Sequence, residues 1–381
     1  MDLGALERAS AANSFYEGID FLRAAAVFLV LWSHGGPLLS DQQRIFLYSG
    51  YFRPGFWGVT LFFSISGFLI IGQLLDMATG VRRESLKVFV MRRCLRTMPT
   101  YWLATLLVLI VGFSQWPSAR GLGINLLFLQ GFFSLPSVLP VAWSLVIEVW
   151  SYLLYAALAY ASRFVGVSDE GGRGLFRWLP SGASLIGFAL IILPVVAGVL
   201  RYEFAQSGSS VQALKQGVWP QVDALAYGGM LAWFVRSRRD LFARLTSFKI
   251  LAPACLVVMS LVAATAPGLF SNVRDSLPAK SILWIAFGFY PCVGFLSCLM
   301  IVSLWRFRYS SIPVWASRPC RLLSRCSYSV YLLHLCVGSL LGGLGVGLFS
   351  FWLYLVLSIV VGSVGWLLLE RPFTRLRYLI S

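Results

Sequence analysis

The chain has 381 residues, of which 58% are hydrophobic and only 12% charged, and its mean hydropathy is +0.78. Soluble domains carry roughly 25% charged residues, and a soluble fold cannot hide this much apolar surface. A disordered chain, a secreted disulfide scaffold and an ordinary cytosolic enzyme are therefore excluded, and a polytopic all-α membrane protein is expected.

The opening MDLGALERAS sets Asp2 and Glu7 beside Arg8, unlike the basic start of a signal peptide. No small-residue cleavage site follows, so the first apolar run is expected to be retained. A spanning helix needs roughly 20 mostly apolar residues. By that measure about ten spans are predicted, near 17–39, 56–75, 99–114, 141–162, 180–200, 218–235, 250–270, 281–305, 326–347 and 349–369. The stretch 122–135 is too short and too glycine-broken to cross, and is expected to be re-entrant or interfacial. The segment 76–98 reads as a basic amphipathic helix at the membrane surface. The whole of 1–381 is expected to form one membrane domain, with no extracytoplasmic domain.

Ten spans place both termini on one side. If that side is the cytoplasm, cytoplasmic segments hold 24 of the Lys and Arg residues and outer segments hold 7. Flipping the chain would invert that bias, so the cell (inner) membrane with both termini cytoplasmic is the expected placement. The net charge of +16 is then a topological signal, and no nucleic-acid partner is implied. The seven cysteines show neither a CxxC pair nor metal-ligand spacing with a histidine, so they read as small core residues or reduced thiols. No metal is expected.

Ionisable groups inside spans are costly, and each is a functional hypothesis. In the first span Asp20, Arg23 and His34 fall on one stripe, and Arg23 and His34 are about 16 Å apart along the axis. A snorkelling Arg beside its Asp partner, with a capped histidine near the headgroups, is the structural alternative. Histidine is nonetheless the side chain best suited to exchange protons near neutral pH. In the second span Ser64, Ser66 and Gly67 suit close helix packing. Arg93 and Arg96 share a face just before Pro99, which is expected to sit at a helix start. Two guanidinium forks suit a diphosphate or 3′-phosphate, with positive-inside anchoring as the plainer reading.

Ser144, Glu148 and Tyr152 recur every four residues on one face of the fourth span, and a buried carboxylate there must be paired or protonated. Asp223 near the sixth span and His334 in the ninth are weaker candidates. Glu370 and Arg371, before Pro372, read as a structural helix end. There is no GxxxxGK, no GxGxxG after a strand, no HExxH and no nucleophile elbow.

Taken together, the Arg23-x10-His34 spacing, GVTLFFSISGFLI, RRCLRTMPTYWL, WSLVIEVWSYLLY, DALAYGG, CSYSVYLLHL and the terminal ERPF resemble the acyltransferase-3 family of integral-membrane acyltransferases, in order and over almost the whole chain. One departure is Glu17-Gly18-Ile19-Asp20, where the family usually has Leu-Asp-Gly-Leu-Arg. The resemblance implies transfer of an acyl group, usually acetyl, from cytoplasmic acyl-CoA (acetyl-CoA) as co-substrate to a hydroxyl of a glycan or lipid-linked saccharide, with no bound cofactor. His34 would match the family's essential histidine, and Arg23, Arg93 and Arg96 its essential arginines. His34 would serve as general base or as a carrier of the acyl group, with Glu148 or Asp20 fixing its tautomer or balancing its charge. Ser66, Ser144, Tyr152, Asp223 and His334 are the secondary candidates. The rival reading is a transporter that exports a glycan or small metabolite along the same polar stripe.

Overall fold

The computed structural model describes residues 3–47, 54–133, 135–165, 184–209, 211–245, 257–258 and 279–376. Among them every regular element is helical. The helices are α1 (Leu3–His34), α2 (Asp41–Leu47), α3 (Pro54–Ala78), α4 (Leu86–Ile110), α5 (Ala119–Leu126), α6 (Trp143–Val165), α7 (Ser184–Gln206) and α8 (Val211–Gln216). They continue with α9 (Ala226–Ser237), α10 (Arg239–Leu245), α11 (Ala279–Trp284), α12 (Tyr290–Ser303), α13 (Val314–Leu341), α14 (Leu348–Gly365) and α15 (Arg371–Leu376). Two π-helical turns, Ile285–Phe289 and Trp366–Glu370, join α11 to α12 and α14 to α15.

Among the described residues, five helical stretches are long and apolar enough to cross a membrane: Pro54–Ala78, Pro140–Ser162, Leu185–Gln206, Ile282–Ser303 and Leu348–Leu376. Three things separate this number from the expected ten. First, α1, α4 and α13 are long enough, at 32, 25 and 28 residues, but charged or polar side chains interrupt them. Second, 218–235 is broken: a short 3-10 turn at Trp219–Gln221 precedes an α9 of only 12 residues. Third, 250–270 lies largely outside the described residues.

The buried hub of the bundle is α3, which packs on α1, α6, α9 and α12, while α13 lies between α1 and α14. The approach of α3 to α9 is set by glycine. A Cβ on Gly228 would stand 2.0 Å from the Ser64 carbonyl oxygen, and one on Gly67 would stand 2.1 Å from that of Leu225. Only hydrogen fits at either place, which is how small residues let membrane helices touch. Lower on the same pair, Arg236 donates through Nε and Nη2 to the two Asp76 oxygens, both at 2.7 Å. By contrast α14 turns Phe349, Trp352, Val356, Val360 and Val364 outward, as a helix bathed in hydrocarbon should.

The basic segment 76–98 is shared between two elements. Ser85 caps α4 by accepting from the Val88 N–H at 3.2 Å, and Arg92 pairs with Glu84 at 2.5 Å. Arg93 and Arg96 thus stand on a helix that runs on unbroken to Ile110. Pro99 is inside α4 and not at its start; the cap at Ser85 begins the helix fourteen positions earlier, and Pro99 merely omits one backbone donor. The stretch 122–135 holds the end of α5, a helix of eight residues. Its buried Asn125 donates to the Gly121 and Pro136 carbonyls and accepts from the Val138 N–H.

Candidate active site

Two cavities lie back to back in the bundle, and Val59, Phe63 and Tyr331 border both. One, of 90 Å³, is lined by Arg23 from α1, Ser66 from α3, Arg93 and Arg96 from α4, and Glu148 and Tyr152 from α6. The other, of 620 Å³, contains His34. The wall between them is held by a polar knot: Tyr331 Oη lies 2.7 Å from Ser144 Oγ and 3.2 Å from the Val141 carbonyl oxygen.

The arginine cavity holds more positive than negative groups. Arg23 interacts electrostatically with Arg96, Asp20, Glu148 and Tyr152. Glu148 accepts a hydrogen bond from Ser66 Oγ at 2.6 Å and another from Tyr152 Oη. Ser66 is therefore a donor to a carboxylate, and the close packing expected of this stretch falls to Ser64 and Gly67. Arg93 donates to Gln73 Oε1 at 3.0 Å and lies over the Phe89 ring, 5.3 Å from its centroid. Three guanidinium groups from two helices converge on this space with one facing carboxylate, so an anion of high charge would meet matching forks.

Asp20 does not line that space and accepts from Ser324 Oγ of α13 at 2.9 Å. Neighbouring Glu17 accepts the Tyr309 N–H at 2.7 Å. Both carboxylates of the first span thus tie α1 to α13 and the turn before it. Glu370, read from sequence as a plain helix end, is instead buried, accepts from Ser329 Oγ at 2.9 Å, and interacts with Arg96 and Arg23. It supplies a second carboxylate to the arginine cluster. Its neighbour Tyr328 donates to the Thr97 carbonyl at 2.8 Å.

At the far end of α1, His34 Nδ1 is 3.0 Å from the Val30 carbonyl oxygen. A carbonyl only accepts, so Nδ1 carries the proton and Nε2 keeps its lone pair. The tautomer is fixed by the preceding helical turn, and neither Glu148 nor Asp20 is engaged with it. His334 of α13 packs against His34, ring centroids 4.9 Å apart. It is fully buried, its Nδ1 lies 2.8 Å from the Tyr331 carbonyl oxygen, and its Nε2 has no partner. By the same logic His334 Nε2 is also a bare lone pair. Two imidazoles in the same tautomer therefore meet at the edge of the larger cavity.

The far wall of that cavity holds a group the sequence did not announce. Arg201, whose position at the edge of an apolar run reads as a loop charge, lies inside α7 with 1% of its side chain exposed. It pairs with Asp223, itself 0% exposed, and its guanidinium stacks on the Tyr290 ring 3.9 Å from the centroid. Tyr227 completes the set by donating to Asp223 Oδ2 at 2.7 Å. Asp223 is not on a spanning helix but in the turn between Gln221 and α9, so its partner, 22 residues back, could not be read from helical spacing. Tyr331 was more accessible to sequence reasoning, because it lies three residues before His334 on the same helical face.

The family model described as an acyltransferase domain, acyltransferase-3, matches residues 16–371. A peptidoglycan O-acetyltransferase, OatA of Listeria monocytogenes serovar 1/2a (strain ATCC BAA-679 / EGD-e), is 30% identical over 163 residues. That match covers 38% of this chain and 24% of the relative, so the chain corresponds to about a quarter of that protein. No solved structure matches. With a family match running from the middle of α1 to the first residue of α15, the chain belongs to the acyltransferase-3 family.

Proposed function

We propose that the protein is a membrane O-acyltransferase that takes an acyl group, in the first instance acetyl, from acyl-CoA and delivers it to a hydroxyl of a cell-surface or exported glycan. The observation that carries this reading is the pair of cavities divided by Val59, Phe63 and Tyr331, one built of arginines and the other holding His34. The excess of Lys and Arg in the segments expected at that end supports a cytoplasmic side of the cell membrane for that cavity, where acyl-CoA is found, with both termini on the same side. The listerial relative, an O-acetyltransferase of peptidoglycan by name, supports acetyl as the group and a glycan as the acceptor.

On this reading Arg93, Arg96 and Arg23 bind the donor's phosphates, and the thin pantetheine arm passes the Tyr331 wall. The roughly 16 Å between Arg23 and His34 along α1 is spanned by that arm. His34 Nε2 then takes the proton of the acceptor hydroxyl as its oxygen attacks the thioester carbonyl. The C–S bond breaks, the ester C–O bond forms, and the thiolate leaves with the proton from His34. Proton transfer of this kind contributes about 10²–10⁴-fold. His334 acts as a positioning residue: its bulk holds the His34 ring, and its Nε2 lone pair stands beside the imidazole that becomes positive. Glu148 and Glu370 offset part of the arginines' charge when no donor is bound, and Ser66 and Tyr152 orient Glu148.

The test is acyl-CoA affinity measured on purified protein in detergent. Arg93→Ala and Arg96→Ala should each weaken binding at least tenfold, since each removes a charge-assisted contact. Unchanged affinity would favour export of a glycan or metabolite along the same polar pathway.

A further inference from the structure

We infer that the Arg201–Asp223–Tyr227 cluster is the anchor for the acceptor, and that the ligand it takes is a sugar ring presenting hydroxyl and amide oxygens. Arg201 is 1% exposed yet lines the 620 Å³ cavity that contains His34, and its Nε and Nη1 have no hydrogen-bond partner. An unsatisfied donor on a buried guanidinium is costly, and a native structure with two on one side chain calls for an explanation. Asp223 already answers the positive charge through Nη2, so the two remaining donors belong to a nearly neutral pair. Such donors suit neutral oxygen acceptors, the hydroxyls and amide carbonyls of sugars, better than a second carboxylate.

Much of the rest of the cavity fits that ligand, although its lining also includes Lys215 and Arg44, the latter paired with Asp41. Phe56 and Trp143 contribute apolar ring surface, Gln221 and Tyr227 contribute polar groups, and the volume of 620 Å³ lies within the range of ligand pockets. Flat aromatic walls with a few convergent polar atoms match a pyranose, which has an apolar face and a polar edge. The stacking of Tyr290 on the guanidinium and the bond from Tyr227 to Asp223 keep the fork rigid before the ligand arrives, so little ordering cost is left for binding. The inference rests on the acyl-transfer reading only for what happens at His34, because sugar binding by Arg201 is a separate event.

The probe is a neutral tetrasaccharide of N-acetylglucosamine, titrated into purified full-length protein and followed by calorimetry, with acyl-CoA titrated in parallel. Wild type should bind the probe. Arg201→Lys keeps a charge for Asp223 but removes the fork, and should weaken the sugar at least tenfold while acyl-CoA affinity stays within twofold. Thr60→Trp narrows the cavity without touching the ion pair and should weaken the sugar similarly, so it decides the matter if Arg201→Lys does not fold. Sugar affinity unchanged in the variants, or no binding to wild type, overturns the inference, and ordered water is then what meets Arg201. Sugar binding that depends on Arg201 in a protein that does not bind acyl-CoA upholds the anchor and overturns the acyl-transfer reading.

Discussion

His34 and His334 have the same local geometry, with Nδ1 turned onto a carbonyl one helical turn earlier and Nε2 bare, but they occupy different surroundings. His34 opens on the large cavity, whereas His334 is sealed behind it. The account therefore predicts a divided phenotype. His334→Leu should lower kcat about 10- to 100-fold while leaving the KM for acyl-CoA within twofold, because a misplaced base slows chemistry without touching the donor contacts. Equal losses in kcat and in acyl-CoA affinity would make His334 a packing residue only. Glu148 gives a second check. Ser66→Ala removes a donor from a half-buried carboxylate and should cost about 1 kcal/mol, read as a lower midpoint in thermal unfolding of the detergent-solubilised protein. Stability equal to wild type would detach Ser66 from that role. Much of this chemistry was legible in the chain, because Arg23, Arg93, Arg96, Glu148 and Tyr152 do line one space. What escaped were the groups whose partners are remote in sequence: Arg201, whose carboxylate sits in a turn, and Glu370, which reaches the arginine cluster from the far end of the chain.

Among the elements, the sequence reading counted ten spans, and five helical stretches of the described residues are long and apolar enough to cross a membrane. The stretches Leu185–Gln206, Ile282–Ser303 and Leu348–Leu376 are the most apolar of these and were visible at once. Meanwhile α1, α4 and α13 carry charged and hydroxyl side chains, which lower their apolarity below that of the five stretches. The element α9 shows another limit. Its apolar run continues back through Trp219 and Val222, and only the structure reveals that Asp223 and the turn around it interrupt the helix. The hub formed by α3 and α9 makes a direct prediction. Gly228→Leu should destabilise the protein by about 1–3 kcal/mol or more, because any Cβ meets the Ser64 carbonyl oxygen. Gly343→Leu should change little, since nothing lies within 4 Å of a Cβ there. The two variants are compared by thermal unfolding, and equal midpoints would mean that α3 and α9 can separate freely.

For the whole molecule, the arrangement is a bundle with an arginine-lined space toward one face, a histidine at the other, and an aromatic wall between. The distribution of Lys and Arg in the sequence supports the proposed assignment of the two faces. On that proposal the start of α13, where Trp315 is 79% exposed, is expected in the cytoplasm, and Gly343, just past its end, outside. Single cysteines at these positions, Trp315→Cys and Gly343→Cys in a background without native cysteines, should react oppositely with an impermeant maleimide. Gly343→Cys should label in intact cells and Trp315→Cys only after lysis, and the reverse pattern would put the arginine cavity outside, away from acyl-CoA. The central claim is that His34 Nε2 moves the proton in acyl transfer across this wall. Its most direct test supplies purified wild type and His34→Ala with radiolabelled acetyl-CoA, with and without a glycan acceptor. The account predicts acceptor-dependent thioester loss in wild type, a fall of about 10²–10⁴-fold in the variant, and no label left on the protein when the acceptor is absent. Label retained by wild type before acceptor is added would replace the general base with an acyl-histidine, and equal turnover by both proteins would remove His34 from the chemistry.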